Sequence, residues 1–122
     1  MSRAPIWLAL ALLGGLGAVA RYVVHSAVVR VDPTEFPLAT FAVNIGGSLL
    51  FGVLAGAGAS HDARLLAGTA LLGAFTTFST WMWETERMIA DGERHGAAAG
   101  VVTSVLVGLG AVALGVAVGG AL

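Results

Sequence analysis

Hydrophobic residues in this chain fall into four long runs rather than into short alternating or amphipathic stretches. Residues 4–20, 36–60, 65–83 and 97–122 contain no Asp, Glu, Lys or Arg, and they are 17, 25, 19 and 26 residues long. A bilayer core of about 30 Å takes about 20 helical residues to cross. Buried strands and core helices of soluble proteins are shorter and bounded by polar runs. The pattern therefore predicts an all-α membrane protein of four transmembrane helices, spanning about 5–24, 37–57, 65–88 and 97–121 in a single domain covering 1–122. Pro5 suits the opening turn of the first helix and Pro37 the start of the second. The connections are short: one holding Arg30, Asp32, Pro33 and Glu35, then Gly58 to Arg64, then Asp91 to His95. Sequential helices are expected to pack antiparallel.

Composition agrees with this reading. Hydrophobic residues make up 57% of the chain and charged residues 11%, with a mean hydropathy of +0.91. That is too little charge to coat a surface facing water. Cysteine is absent, which excludes a disulfide framework, a thiolate metal site and a cysteine nucleophile. A net charge of −1 without any basic run argues against nucleic acid as a partner. No Gly-x-Ser-x-Gly elbow, phosphate loop or His-Glu-x-x-His motif occurs, and Ser79 has no His or Lys base at helical spacing. The chain is not expected to be an enzyme. His25, His61 and His95 lie in or beside loops without metal-ligand spacing and are read as solvated.

Arg3 followed by an apolar run ending at Ala18-Val19-Ala20 has the outline of a secretory signal. The run is long for a signal core, and Gly14, Gly15 and Gly17 suit close helix packing, so a retained helix is expected. Small residues also recur at four-residue spacing, at Gly52 and Gly56, Gly96 and Gly100, and Gly115 and Gly119. Such faces let helix backbones approach in lipid, which favours a compact bundle. Arginines near helix ends are close to balanced: Arg3 and Arg64 on one side, Arg30, Arg94 and Arg87 on the other. The positive-inside rule then gives no strong orientation. Two copies inserting in opposite directions would form an antiparallel, dual-topology homodimer. A fixed orientation beside a second, differently charged subunit is the competing arrangement.

Polar residues within the spans are costly in hydrocarbon and mark candidate sites. Gly73-Ala74-Phe75-Thr76-Thr77-Phe78-Ser79-Thr80-Trp81 packs four hydroxyls, a glycine and three aromatics into the middle of the third segment. Hydroxyls compete for backbone partners, and irregular backbone at membrane depth is tolerated only where it is buried or lines a cavity. The third helix is thus expected to break mid-membrane, with hydroxyls and carbonyls facing an ion or a conduction path. The alternative is a Ser/Thr stripe bonding back to its own helix. Thr40, Asn44 and Ser48 recur every four residues and form one polar face, and Thr103 with Ser104 adds two hydroxyls in the fourth span. Asn44 either joins two helices or offers its amide donors to an anion. Arg21 either snorkels at the end of the first span or supplies positive potential at an anion entrance. Glu84 either pairs with an arginine or caps the hydroxyl-rich region.

Three stretches carry a resemblance. Gly14-Gly15-Leu16-Gly17-Ala18-Val19-Ala20-Arg21-Tyr22, Pro37 to Gly46 (PLATFAVNIG), and Gly73 to Thr80 (GAFTTFST) with Glu84 beyond are similar, in order, to motifs of the Fluc/CrcB fluoride channels. The resemblance implies a fluoride-selective channel in a bacterial cytoplasmic membrane, exporting fluoride passively to relieve its toxicity. It implies a dual-topology dimer with two pores and a structural Na⁺ at the dimer centre. Carried over residue by residue, Asn44 lines the pore and donates to fluoride, and Phe78 offers its ring edge. Ser79 and Thr80 join a polar track, and the backbone carbonyls of Gly73 and Thr76 hold Na⁺. Arg21, Thr40 and Glu84 fall at the pore entrance or in supporting positions. Trp81 stands where the family's second pore phenylalanine falls, and Ala39 where a glycine is usual. Either Trp81 reshapes the pore, or the chain builds part of a site completed by a paralogous subunit.

Two other functions compete. A proton-coupled exporter of the small multidrug resistance type has similar size, but it needs a membrane-embedded acid in its first helix, and residues 4–20 hold none. A non-conducting assembly subunit would use the same hydroxyls only to pack helices.

Overall fold

The computed structural model describes residues 3–34 and 36–122. Glu35, assigned by sequence to the first loop, lies outside the described residues. Helix α1 covers Ala4–Val31, α2 Leu38–Gly56, α3 residues 61–75, α4 Ser79–Ala90 and α5 Arg94–Gly120. With α3 and α4 taken as one segment, four segments are long and apolar enough to cross a membrane.

Local chemistry sets the ends of these helices. Pro5 sits in the first turn of α1, where its missing N–H costs nothing. The helix then runs past the expected end at Val24 as far as Val31. No helix breaker intervenes until Pro33, which disfavours helical geometry at Asp32. The Asp32 carboxylate closes the turn by accepting from the Thr34 N–H at 3.0 Å and the Thr34 hydroxyl at 2.6 Å. Gly58, at φ +68°, turns the chain after α2. Ser60 Oγ then accepts the Ala63 N–H at 3.2 Å and caps α3. Residues Arg64–Leu72 of α3 are wound as a π-helix, with the wider i→i+5 ladder. Thr76 is extended (φ −81°, ψ 162°), and helical geometry resumes at Ser79.

α2 packs on α5 along one side and on α1 along the other. The α2–α5 contact is a backbone-to-backbone seam between two parallel helices. A Cβ built on Gly52 would lie 2.9 Å from the Gly115 Cα, and one on Gly115 would lie 2.8 Å from the Gly52 Cα. One turn on, Cβ atoms on Gly56 and Gly119 would overlap the Val116 and Val53 carbonyls. Two of the three glycine pairs thus face each other. Gly96 and Gly100 instead receive side chains, from Met88 and Phe36 respectively. α3 lies against α1, where a Cβ on Gly17 would overlap the Leu71 carbonyl, and α4 lies against α5. The third segment therefore crosses from the α1 side of α2 to its α5 side, and residues 76–78 are where it changes course. The short turns leave consecutive segments antiparallel, with α1 alongside α3 and α2 alongside α5 running parallel.

Candidate functional site

The polar face of α2 is the foundation of the site. Thr40, Asn44 and Ser48 fall on consecutive turns, and the first two reach across to the third segment. Thr40, 1% exposed, donates its hydroxyl to the Glu84 carboxylate on α4. Glu84 therefore pairs with a threonine hydroxyl and not with an arginine; the nearest arginine along its helix, Arg87, stacks over the Trp83 ring at 4.9 Å. Asn44 engages the backbone of Thr77 from both sides. Its Nδ2 donates to the Thr77 carbonyl, and its Oδ1 accepts the Thr77 N–H, each at 2.8 Å. The side-chain amide thus takes the place of a neighbouring strand or helix turn. Ser48 Oγ donates back to the Asn44 carbonyl at 2.8 Å.

These contacts explain how residues 76–78 leave the helix. In an unbroken helix the Thr77 N–H would go to the Gly73 carbonyl; here it goes to Asn44 Oδ1. The Thr80 N–H would go to the Thr76 carbonyl; here it goes to the Thr77 hydroxyl at 3.2 Å. Thr77 acts as the side-chain cap of α4, in the manner of a helix N-cap. The carbonyls of Gly73 and Thr76 are left without their helical donors. On the other side of the gap, Thr76 gives both its N–H (3.0 Å) and its hydroxyl (3.1 Å) to the Leu72 carbonyl, which closes α3. Gly47 makes room for this, since a Cβ there would overlap the Thr76 methyl.

Beside the gap lies a groove of about 430 Å³. Asn44, Ser48, Thr76, Thr77 and Ser104 supply its polar groups, and Phe51, Phe78, Trp81, Val105, Leu109 and Val112 are among its apolar walls. Phe78 and Trp81 meet edge to face, with centroids 5.9 Å apart at 87°, a favoured geometry for aromatic pairs. Phe78 is 70% exposed and projects from the surface of the single chain. Among the described residues, no charged one lines the groove.

The sequence-derived residues are thus partly gathered. Asn44, Thr76, Phe78 and Trp81 share the groove, whereas Ser79, Thr80 and Gly73 do not line it. Thr40 and Glu84 pair with one another one turn away, and Glu84 borders two separate cavities toward the helix end. Arg21 is half-buried and lies inside α1, which continues to Val31, so the expected position at a helix end does not hold. One turn before it, Gly17 touches Leu71 and Ala74 of α3, which puts Arg21 level with residues 76–78. Sequence reasoning assigned no role to Thr77, whose backbone and hydroxyl organise the gap. The available signal was a threonine two residues before the helix restarts and three before Thr80, the spacing of a side-chain cap. Ser104 was noted only as a hydroxyl of the fourth span; its place in the groove depends on the α2–α5 register.

The architecture is that of a small polytopic membrane protein in which uncharged hydrogen-bonding groups converge on a non-helical stretch between apolar helices. The family model described as CrcB-like protein, Camphor Resistance (CrcB), matches residues 8–116. The chain is 46% identical over 115 residues, 94% of each chain, to a fluoride-specific ion channel FluC 2 of Mycolicibacterium paratuberculosis. It is 48% identical over 110 residues, 90% of this chain and 87% of the relative, to FluC 2 of Mycobacterium tuberculosis. With FluC 1 of Geobacillus kaustophilus it shares 50% identity over 86 residues, 70% and 72% of the two chains. The chain belongs to the CrcB family.

Proposed function

We propose that this chain is a subunit of a fluoride-selective channel that lets fluoride leave the cell passively across the cytoplasmic membrane. The relatives named as fluoride-specific channels support the substrate. The observation that carries the reading is the uncharged polar groove at residues 76–78. Fluoride is small and tightly hydrated, so a dry path must replace its water with donors. Amide and hydroxyl hydrogens with aromatic ring edges do so without a fixed charge that would trap the ion, and conduction needs binding weak enough to release. Asn44 keeps one amide N–H beyond the one given to Thr77, and the Phe78 and Trp81 side chains border the same space. In this reading the third helix breaks at mid-membrane, Ser79 and Thr80 continue the polar track, and Arg21 adds positive potential level with the break.

The functional unit is an antiparallel homodimer. Its support is the unfinished surface of the single chain: 7587 Å² is exposed, against roughly 6,100 Å² for a compact monomer of this mass, and the groove is open at Phe78. The near-balance of arginines at the two ends permits opposite insertion. A structural Na⁺ at the dimer centre fits the chemistry of the gap, because hard cations prefer oxygen ligands and the Gly73 and Thr76 carbonyls have lost their helical donors. A bound Na⁺ would fix the gap electrostatically; Asn44 and Thr77 hold the backbone that presents the carbonyls.

Purified protein in liposomes loaded with fluoride or chloride, followed by ion electrode after a K⁺ ionophore is added, tests the function. Fluoride efflux with little chloride efflux is expected. Equal efflux of both ions, or no efflux of either, rejects the channel.

A further inference from the structure

Two ends of the bundle differ in charge. Arg3 and residues 60–64 carry two arginines against one carboxylate, whereas residues 30–37 and 84–94 carry three arginines against six carboxylates. At the first end Arg3 is paired with Asp62 at 3.3 Å, the one ion pair among the described residues. That leaves Arg64 as the arginine of this end without a carboxylate partner among the described residues. It stands at the mouth of a groove of about 310 Å³ whose other walls are Phe51, Leu54, Ala55, Gly68 and Thr69. A Cβ on Gly68 would come within 3.3–3.4 Å of Leu54 and Phe51, so the glycine lets α3 lie close to α2 and forms the floor. The groove is mostly apolar and runs down the helices from a guanidinium at their end, with the exposed Thr69 near it.

We infer that this groove holds an anionic glycerophospholipid, with its phosphate on Arg64 and an acyl chain between α2 and α3. Charge complementarity supports this occupant over a zwitterionic lipid, since Arg64 has no carboxylate of its own to satisfy. The guanidinium fork suits a phosphate, and polar groups at a helix end lie at headgroup depth. Arg64 does not line the fluoride groove, and the two grooves share the Phe51 wall alone, so the inference does not depend on the proposed function.

The test is native mass spectrometry of the purified full chain in mild detergent, titrated with palmitoyl-oleoyl phosphatidylglycerol or with the phosphatidylcholine of the same chains. One saturable phosphatidylglycerol adduct per chain is expected, with weaker phosphatidylcholine binding. Arg64→Gln should weaken the phosphatidylglycerol adduct by about fivefold, the worth of one arginine at an anionic surface, and Arg94→Gln at the opposite end should leave it unchanged. Ala55→Trp, which fills the groove and keeps Arg64, should abolish it. Retention of the dimer on size exclusion and of fluoride efflux shows that each variant is folded. Adducts that do not saturate, or that are equal in Arg64→Gln and the parent, overturn the inference. So does dissociation of the dimer by Ala55→Trp, which would put a second copy in the groove.

Discussion

Asn44→Leu keeps the branching at Cγ but removes the two 2.8 Å hydrogen bonds that hold the backbone of Thr77. Interhelical hydrogen bonds in membranes average about 0.6 kcal/mol, with a maximum of about 1.7, so the two bonds together are worth about 1 to 3 kcal/mol. Orphaning a buried donor or acceptor costs about 1–3 kcal/mol each, and which penalty applies depends on what Thr77 can find instead. Its N–H has a ready alternative, the Gly73 carbonyl, reached by winding residues 76–78 back toward helix. Its carbonyl would meet the Trp81 N–H only if that rewinding is complete and stays unpaired short of it, and Thr77 is only 9% exposed. The expected loss is therefore about 2–4 kcal/mol, limited by partial rewinding of the gap. Two measurements check this together. Unfolding of the variant in mixed detergent gives the stability loss. Hydrogen exchange of peptides covering 74–81 reports the gap: Thr77 should exchange faster if it stays open, and Thr80 should exchange more slowly if the helix closes. Fluoride efflux should fall at least tenfold in either case. A stability change below about 0.5 kcal/mol with unaltered exchange would show that the Asn44–Thr77 clasp does not hold the backbone.

Two further outcomes follow from the same geometry. Gly52→Val puts a side chain against the Val112 carbonyl on α5; the helices must separate, and a loss above about 2 kcal/mol or failure to recover folded protein is expected on overpacking grounds. Gly110→Ala meets nothing within 4 Å and should change stability by less than about 1 kcal/mol, in the stabilising direction; equal damage from both would remove the seam from the fold. Replacing Na⁺ by N-methylglucamine throughout purification and efflux should slow fluoride flux severalfold and reversibly, and flux indifferent to the replacement would remove the cation from the gap.

Much of the architecture is legible in the chain because hydrophobic length is a strong signal. Four charge-free runs placed four spans, and the glycine spacings announced close packing, although which pairs meet, Gly52/Gly56 with Gly115/Gly119, came from the structure. The polar face of Thr40, Asn44 and Ser48 was also legible, since a four-residue repeat projects to one side of a helix. The partners were not. Glu84 binds Thr40, 44 positions away, and no local pattern encodes that distance. Asn44 illustrates the harder limit. Sequence offers an amide in an apolar helix, and both a helix-helix contact and an anion donor satisfy that description. Only the register of α2 against residues 76–78 shows the amide spending one donor and its acceptor on backbone, with one N–H to spare. Arg21 was assigned to a helix end because charge usually terminates a span, whereas the absence of Gly or Pro between Arg21 and Pro33 lets α1 continue.

The clasp also ties the two proposed ion sites to one another. An asparagine that bonds both peptide groups of Thr77 diverts the N–H that would have satisfied the Gly73 carbonyl. The Thr77 side chain, fixed in turn, diverts the N–H that would have satisfied Thr76. The two carbonyls proposed for a cation are therefore exposed by the same residues that border the anion's groove, without a charged side chain among the described residues there. A bound cation and a held asparagine then stabilise the same backbone state. Removing either shifts the equilibrium toward the rewound helix, in which both sets of ligands vanish together. Weakening of fluoride flux by Asn44→Leu and by Na⁺ removal should accordingly be less than additive, because the second perturbation acts on a gap that the first has already closed.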